Sequence, residues 1–258
     1  TLFRSYLAIM RANLQDMHLT YFATISWSTL GLTDDAEIQV ATQALFERLR
    51  EWAKRKKDAR GAPAPIPLAW IWVHERGPRL GMHTHLLMHV PIGRSAGLGK
   101  VICNFLESWS GQALVNEGPG GLSTFHAREP RRYGQSILTR HAVAFQKSVA
   151  RYMMKGLDPV SMVPPAAGRQ TGRYLRAVLR LKKIRDQGHI QGKRCGYSVH
   201  NLGKAAFARA SDHTSMKADQ AERLLRAHGF NFDDLSTQAC NARFSLDALK
   251  IGSLKNLY

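Results

Sequence analysis

Apolar residues along this chain follow two rhythms. Residues 21–27, Tyr-Phe-Ala-Thr-Ile-Ser-Trp, are β-branched and aromatic and predict a strand. Residues 34–59 carry Leu45, Leu49 and Trp52 at helical spacing. That helix begins with Asp34-Asp35 and ends with Lys54-Arg55-Lys56-Lys57, charges that suit the two ends of its dipole. Gly61-Ala-Pro-Ala-Pro-Ile-Pro67 breaks it, and a strand from Leu68 to Glu75, a turn from Arg76 to Met82 and a strand from His83 to Val90 follow. Helices are expected over 1–20 (short, amphipathic, ending in a turn), 98–110 and 139–156, the last stopped by Gly156. The Gly-rich segment 111–138 reads as a loop with one short strand, and Pro159 to Gly168 as a linker. Helix-like segments at 173–187, 203–211 and 216–228 complete the chain, and no internal repeat is visible. Strands and helices alternating around a hairpin predict an α+β fold with a central antiparallel sheet.

The hairpin holds the most specific chemistry. In the strand Met82-His83-Thr84-His85-Leu86-Leu87-Met88-His89-Val90, residues i and i+2 share a face, so His83 and His85 project together. Thr84, Leu86, Met88 and Val90 point the other way. A register that sets Glu75 opposite His83 places Val73 opposite His85 and Ile71 opposite Leu87, and cross-strand partners share a face. That one register puts Trp70 and Trp72 with Leu86 and Met88 and delivers a carboxylate to the histidine pair. Glu75, His83 and His85 are therefore candidate ligands of an open site for a divalent cation, Mg²⁺ or Mn²⁺. His74 is expected to face away, and His89 to lie on the ligand face but at its periphery.

A second pattern lies about 70 residues on, in Val149-Ala150-Arg151-Tyr152-Met153-Met154-Lys155-Gly156. Tyr152 and Lys155 sit at i, i+3 on one helix face. A phenol is a poor nucleophile at neutral pH unless a nearby cation stabilises the phenolate. Beside a metal that polarises a phosphodiester, Tyr152 is a candidate nucleophile that forms a phosphotyrosine and frees a 3′ hydroxyl, with Lys155 assisting. Neither His-x-His nor Tyr-x-x-Lys is diagnostic alone; their order along the chain carries the reading.

Net charge sharpens the choice of partner. The 258 residues carry 37 Lys and Arg against 19 Asp and Glu, a formal +18. Such a surplus favours a polyanion, nucleic acid before an anionic membrane surface. It concentrates between Arg169 and Arg209, where eleven basic residues meet one acid, Asp186. Arg169, Arg173, Arg176, Arg180 and Lys183 fall three or four apart, one stripe of an expected helix that can track phosphates. The turn Gln191-Gly192-Lys193-Arg194-Cys195-Gly196 can bring backbone amides to a phosphate. Arg131, Arg132, Arg151, Lys193 and Arg194 join the DNA-binding candidates. Tyr133, Tyr174 and Tyr197 neighbour cations and could stack on bases, with ordinary packing favoured for Tyr174. Hydrophobic residues make up 44%, too many for a disordered chain. Three dispersed cysteines, Cys103, Cys195 and Cys240, without a CxxC argue against a disulfide framework and fit a reducing cytoplasm. No apolar run is long enough for a membrane span. The opening Thr1-Leu2-Phe3-Arg4 lacks Met and any signal-peptide pattern, so the sequence is expected to be a piece of a longer chain.

Taken together, these motifs resemble the HUH endonuclease superfamily, most closely the single-tyrosine rolling-circle replication initiators of plasmids and small phages. Phe22-Ala-Thr-Ile-Ser-Trp27 is similar to the first family motif, His83-Thr84-His85 to the second and Tyr152-Met153-Met154-Lys155 to the third, and Glu75 fits the place of the upstream acidic ligand. Thr84 is less hydrophobic than the usual middle residue and is expected to pack through its methyl group. The resemblance spans roughly residues 20–160. It implies a sheet of about five antiparallel strands with an RRM-like or ferredoxin-like core and flanking helices. Residues 1–160 are then expected to form the nicking domain, and 169–258 a basic, mainly helical DNA-binding appendage. The implied activity is metal-dependent nicking of single-stranded or locally melted origin DNA in the cytoplasm of a bacterial host. With no Walker-type motif in the chain, a host helicase is the expected partner. A relaxase or single-strand transposase of the same chemistry is the nearest alternative. A metal hydrolase using water and an inert RRM-like single-strand binder are the others.

Overall fold

The computed structural model describes Ser5, Ala8, Ile9, Arg11, Ala12, Gln15 and residues 17–57, 60–78, 80–91, 93–116, 123–130, 139–156 and 188–203. The backbone alone is described at 139–140, 162–163 and 173–174.

Strand β1, Tyr21–Ser26, runs into a 3₁₀ turn at Trp27–Leu30. Helix α1, Asp35–Lys54, starts where the Asp34 carboxylate accepts from the Glu37 amide at 2.8 Å. That cap satisfies one of the four amides every helix start leaves open. Strands β2, Ala69–Gly77, and β3, Gly81–His89, form the expected hairpin. The turn is tighter than expected: the ladder continues to Gly77 opposite Gly81, leaving three loop residues. Gly81 closes the loop at φ +59°, a conformation that favours glycine. Helix α2, Ser95–Ser110, begins three residues before the expected start and ends at Gly111. Strand β4, Phe125–Arg128, is the one short strand foreseen in the Gly-rich segment. Helix α3, Thr139–Met153, continues as a 3₁₀ turn to Gly156, where the sequence placed its stop.

The main sheet has five antiparallel strands in the order β4-β1-β3-β2-β7, where β7 is Cys195–Tyr197. The element order β1-α1-β2-β3-α2-β4 is that of ferredoxin-like folds, in which each helix carries the chain between strands that are not neighbours. The fold is therefore the α+β class that the alternation predicts. One face of the sheet supplies Tyr21, Ala23, Ile25, Trp70, Trp72, Leu86 and Met88 to the main core. Ile38, Leu45 and Leu49 of α1 and Leu98, Ile102 and Leu106 of α2 close it. Burying such side chains stabilises the fold by about 1.5–3 kcal/mol each.

Two segments depart from the sequence reading. Residues assigned to the helical appendage supply β7, so the sheet extends past residue 160. A short helix, α4, Val199–Leu202, follows β7. Gly196 has the look of a turn residue, but it is in β7 for another reason. A Cβ there would lie 2.8 Å from the Trp72 indole nitrogen, so the strand reaches β2 only without a side chain. The second departure concerns Arg173–Tyr174 (β6), which pairs antiparallel with Met162–Val163 (β5) instead of opening a helix. Met162–Val163 lies within the stretch expected to be a linker. The remainder of the expected helix 173–187 and the segments 204–258, with Cys240, lie outside the described residues. Among those described, no helix is long and apolar enough to cross a membrane.

Candidate functional site

The opposite face of the sheet carries the polar cluster. In the hairpin register Glu75 stands opposite His83, Val73 opposite His85 and Ile71 opposite Leu87, the pairing considered from the sequence. Glu75, His83 and His85 are buried, and one potential ligand atom from each lies within 4.8 Å of the others. Glu75 Oε2 is 3.4 Å from His83 Nε2 and 3.3 Å from His85 Nε2.

Hydrogen bonds to neighbours orient both rings. His83 Nδ1 lies 3.1 Å from the Gly81 carbonyl. A carbonyl only accepts, so Nδ1 carries a proton and Nε2 is turned toward Glu75. His85 Nδ1 meets the Thr24 hydroxyl at 2.9 Å, because β1 sets Thr24 directly opposite His85. Such outer partners fix the ring orientation that a metal ligand needs. His83 Nε2, His85 Nε2 and the Glu75 carboxylate thus converge, and neutral imidazoles with a carboxylate can share a cation. Glu75 Oε1 and His85 Nε2 are buried without a hydrogen-bond partner. These orphaned atoms, together with the two-nitrogen, one-carboxylate donor set, fit a divalent metal ion, and this group could bind one.

Lys155 supplies one positive charge already. Its Nζ donates to Glu75 Oε2 at 2.7 Å and stands 3.6 Å from the centre of the Tyr152 ring. The i, i+3 spacing thus places the ammonium between the carboxylate and the phenol. The Tyr152 ring lies edge-on to His85, 5.1 Å between centres, and also meets Phe22 edge-on at 6.1 Å. Tyr152 is 42% exposed, so one side of the ring faces His85 while another remains open to solvent. α3 holds it there by burying Ala142, Gln146, Val149, Ala150 and Met153, with the Gln146 side-chain Oε1 accepting from the Leu19 amide at 2.7 Å.

Ionisation follows the same geometry. Burial pushes the Glu75 carboxyl up, but the facing His83, His85 and Lys155 pull it down further, so the net shift is well below the ordinary range. Burial holds His85 below the usual imidazole value, against the pull of Glu75. Both shifts favour the ligating forms, carboxylate and neutral imidazole.

The remaining histidines behave as the strand pattern implied. His74 points into the α1/α2 side, where it packs on Trp72. His89 lies away from the cluster, its Nδ1 3.0 Å from the His18 carbonyl. Thr84 departs from the methyl-packing expectation. Its hydroxyl accepts from the Trp27 indole at 2.6 Å and also bonds His74 Nδ1 at 2.7 Å, so the middle residue of the histidine pair anchors a buried polar network.

The phosphate-binding candidates fare unevenly. The Gln191 and Lys193 amides donate to Asp35 at 2.7 Å and to Gln39 at 3.1 Å, fastening the Gly-rich turn to the start of α1. Those two amides are committed to the fold and not free for a phosphate. Arg194 is likewise engaged, donating to the Gly188 carbonyl. Lys193 is exposed, its ammonium 5.8 Å from the Trp72 ring, and Arg151 is half-buried. Tyr197 is half-buried in β7, close to Arg11. Arg173 is described only as backbone in β6. Arg131, Arg132, Tyr133, Arg169, Arg176, Arg180 and Lys183 lie outside the described residues. The sequence reading missed the supporting roles of Phe22 and Thr24, although the alternation in Phe22-Ala-Thr24-Ile-Ser26 marks them as one face. It also missed His126 and Arg128 on β4. No family model, curated protein or solved structure matches this chain.

Proposed function

We propose that this protein is a metal-dependent, single-tyrosine endonuclease of HUH type that nicks single-stranded or locally melted DNA to initiate rolling-circle replication. The observation that carries the reading is Tyr152 lying against His85 while Lys155 spans the phenol ring and Glu75. Glu75, His83 and His85 would hold the ion. When bound, Mg²⁺ or Mn²⁺ would supply a Lewis acid for the scissile phosphate. Tyr152 provides the nucleophilic oxygen: its O–H proton passes to solvent, an O–P bond forms, the P–O3′ bond breaks, and the departing 3′ oxygen takes a proton from solvent to leave a 3′ hydroxyl. Lys155 stabilises the developing phenolate or contacts the phosphate. The ester's bond energy is retained in the phosphotyrosine, so the strand can later be rejoined. A bacterial cytoplasm, a plasmid or phage replicon and a host helicase belong to the same proposal.

Incubation of the protein with a labelled oligonucleotide and Mn²⁺, followed by a denaturing gel, tests it. A covalent adduct in wild type and none in Tyr152→Phe supports the reading. An undiminished adduct in Tyr152→Phe overturns the nucleophile assignment. Cleavage with no adduct would indicate a hydrolase that uses water. Binding without any response to metal would indicate an inert single-strand binder. A strand-transfer assay separates an initiator from a transposase that joins ends.

A further inference from the structure

The metal face does not stop at the hairpin. β1 pairs with β3 on one side and β4 on the other, so Thr24 lies opposite both His85 and His126, and Phe22 opposite both Leu87 and Arg128. Directly opposed residues share a face, which puts His126 and Arg128 on the same side of the sheet as the metal group. At one strand spacing per step, His126 lies about 10 Å from His85. Both residues are exposed. The Arg128 guanidinium is 4.9 Å from the Phe22 ring and 5.9 Å from the Phe145 ring, while Phe22 in turn stacks on His85 at 5.4 Å. Among the described residues no carboxylate pairs with it. An arginine laid on aromatic planes keeps its charge and its donors in a fixed plane, the form suited to a phosphate oxygen. The opposite flank is occupied: Arg11 engages Tyr197 and donates to the Leu202 carbonyl at 3.0 Å.

We infer that Arg128 and His126 form a phosphate-positioning track for the DNA strand, holding a backbone phosphate next to the one presented to Tyr152. This inference rests on the nicking reading for its ligand. The track orients the strand from the β4 side and reads no bases, because its groups address only the phosphate backbone.

The test uses fluorescence anisotropy of a labelled single-stranded oligonucleotide in Mn²⁺, across a salt series, with Tyr152→Phe as the parent to prevent cleavage. Adding Arg128→Gln should weaken binding about tenfold, the effect of one charge-assisted contact. It should also flatten the slope of log affinity against log salt by about 0.7, one phosphate's share for a single strand. His126→Ala should weaken binding by a smaller factor. Mn²⁺ affinity of the protein alone should remain within twofold of the parent in both variants, which also confirms that the site is still folded. An unchanged affinity and salt slope in Arg128→Gln overturns the inference. Arg128-dependent binding by a protein that forms no adduct with wild-type Tyr152 supports the track and overturns the nickase reading instead.

Discussion

Individual side chains in the site have separable jobs. Glu75, His83 and His85 converge, while Lys155 and Tyr152 approach from a different element. Glu75→Gln preserves shape but removes the only carboxylate of the group, and should weaken Mn²⁺ binding at least tenfold by isothermal titration calorimetry. Tyr152→Phe should leave that affinity within twofold, since the ring lies beside the ligands without being one. A Glu75→Gln protein that binds Mn²⁺ as tightly as wild type would remove Glu75 from the ligand set. Thr84 illustrates what residue types alone conceal. Its methyl can be inferred from its place in a buried strand, but the hydroxyl's two partners, Trp27 and His74, come from other segments. Thr84→Val keeps the volume and strands both partners. It should cost about 2 kcal/mol in urea-unfolding free energy. A loss below about 0.5 kcal/mol would show that the network contributes little.

Secondary-structure elements differ in how openly the sequence declares them. The β2–β3 hairpin was legible because a two-residue period excludes any one-residue slip, which would expose both tryptophans, and the register that sets Glu75 opposite His83 keeps them buried. α1 was legible from its charged ends and its apolar stripe. β7 was not, since three residues, Cys195-Gly196-Tyr197, hold no period, and Gly196 answers to the bulk of Trp72 on a strand more than 100 residues earlier. The Gly-rich turn before it likewise resembled an anion cradle, but two of its amides, from Gln191 and Lys193, serve Asp35 and Gln39. Gly196→Ala should therefore detach β7 and lower stability, by about 1–3 kcal/mol for an overpacked contact. Denaturation that matches wild type would show that the strand accommodates the methyl group.

Across the molecule, burial and charge set the response to solvent. Burial pushes His74 down to about 3 and also lowers His85 and His89, all from an ordinary value of 6.5. The unfolded chain then binds more protons than the folded one through this window. Stability is fully present above pH 6.5 and is lost progressively as pH falls toward 3. Urea midpoints in EDTA should be lower at pH 5.5 than at pH 7.5, and a midpoint that rises on acidification would contradict these shifts. The formal charge of +18 acts at the same scale, where it favours a polyanionic ligand without selecting a base sequence. What joins the scales is the claim that the sheet holds its metal group beside one reactive phenol. Mass spectrometry of proteolytic peptides after reaction with an oligonucleotide and Mn²⁺ measures it most directly. The account predicts a nucleotide remnant on the peptide containing Tyr152, appearing only when Mn²⁺ is present. A remnant on Tyr197 or another residue, or an equal yield in EDTA, would contradict it.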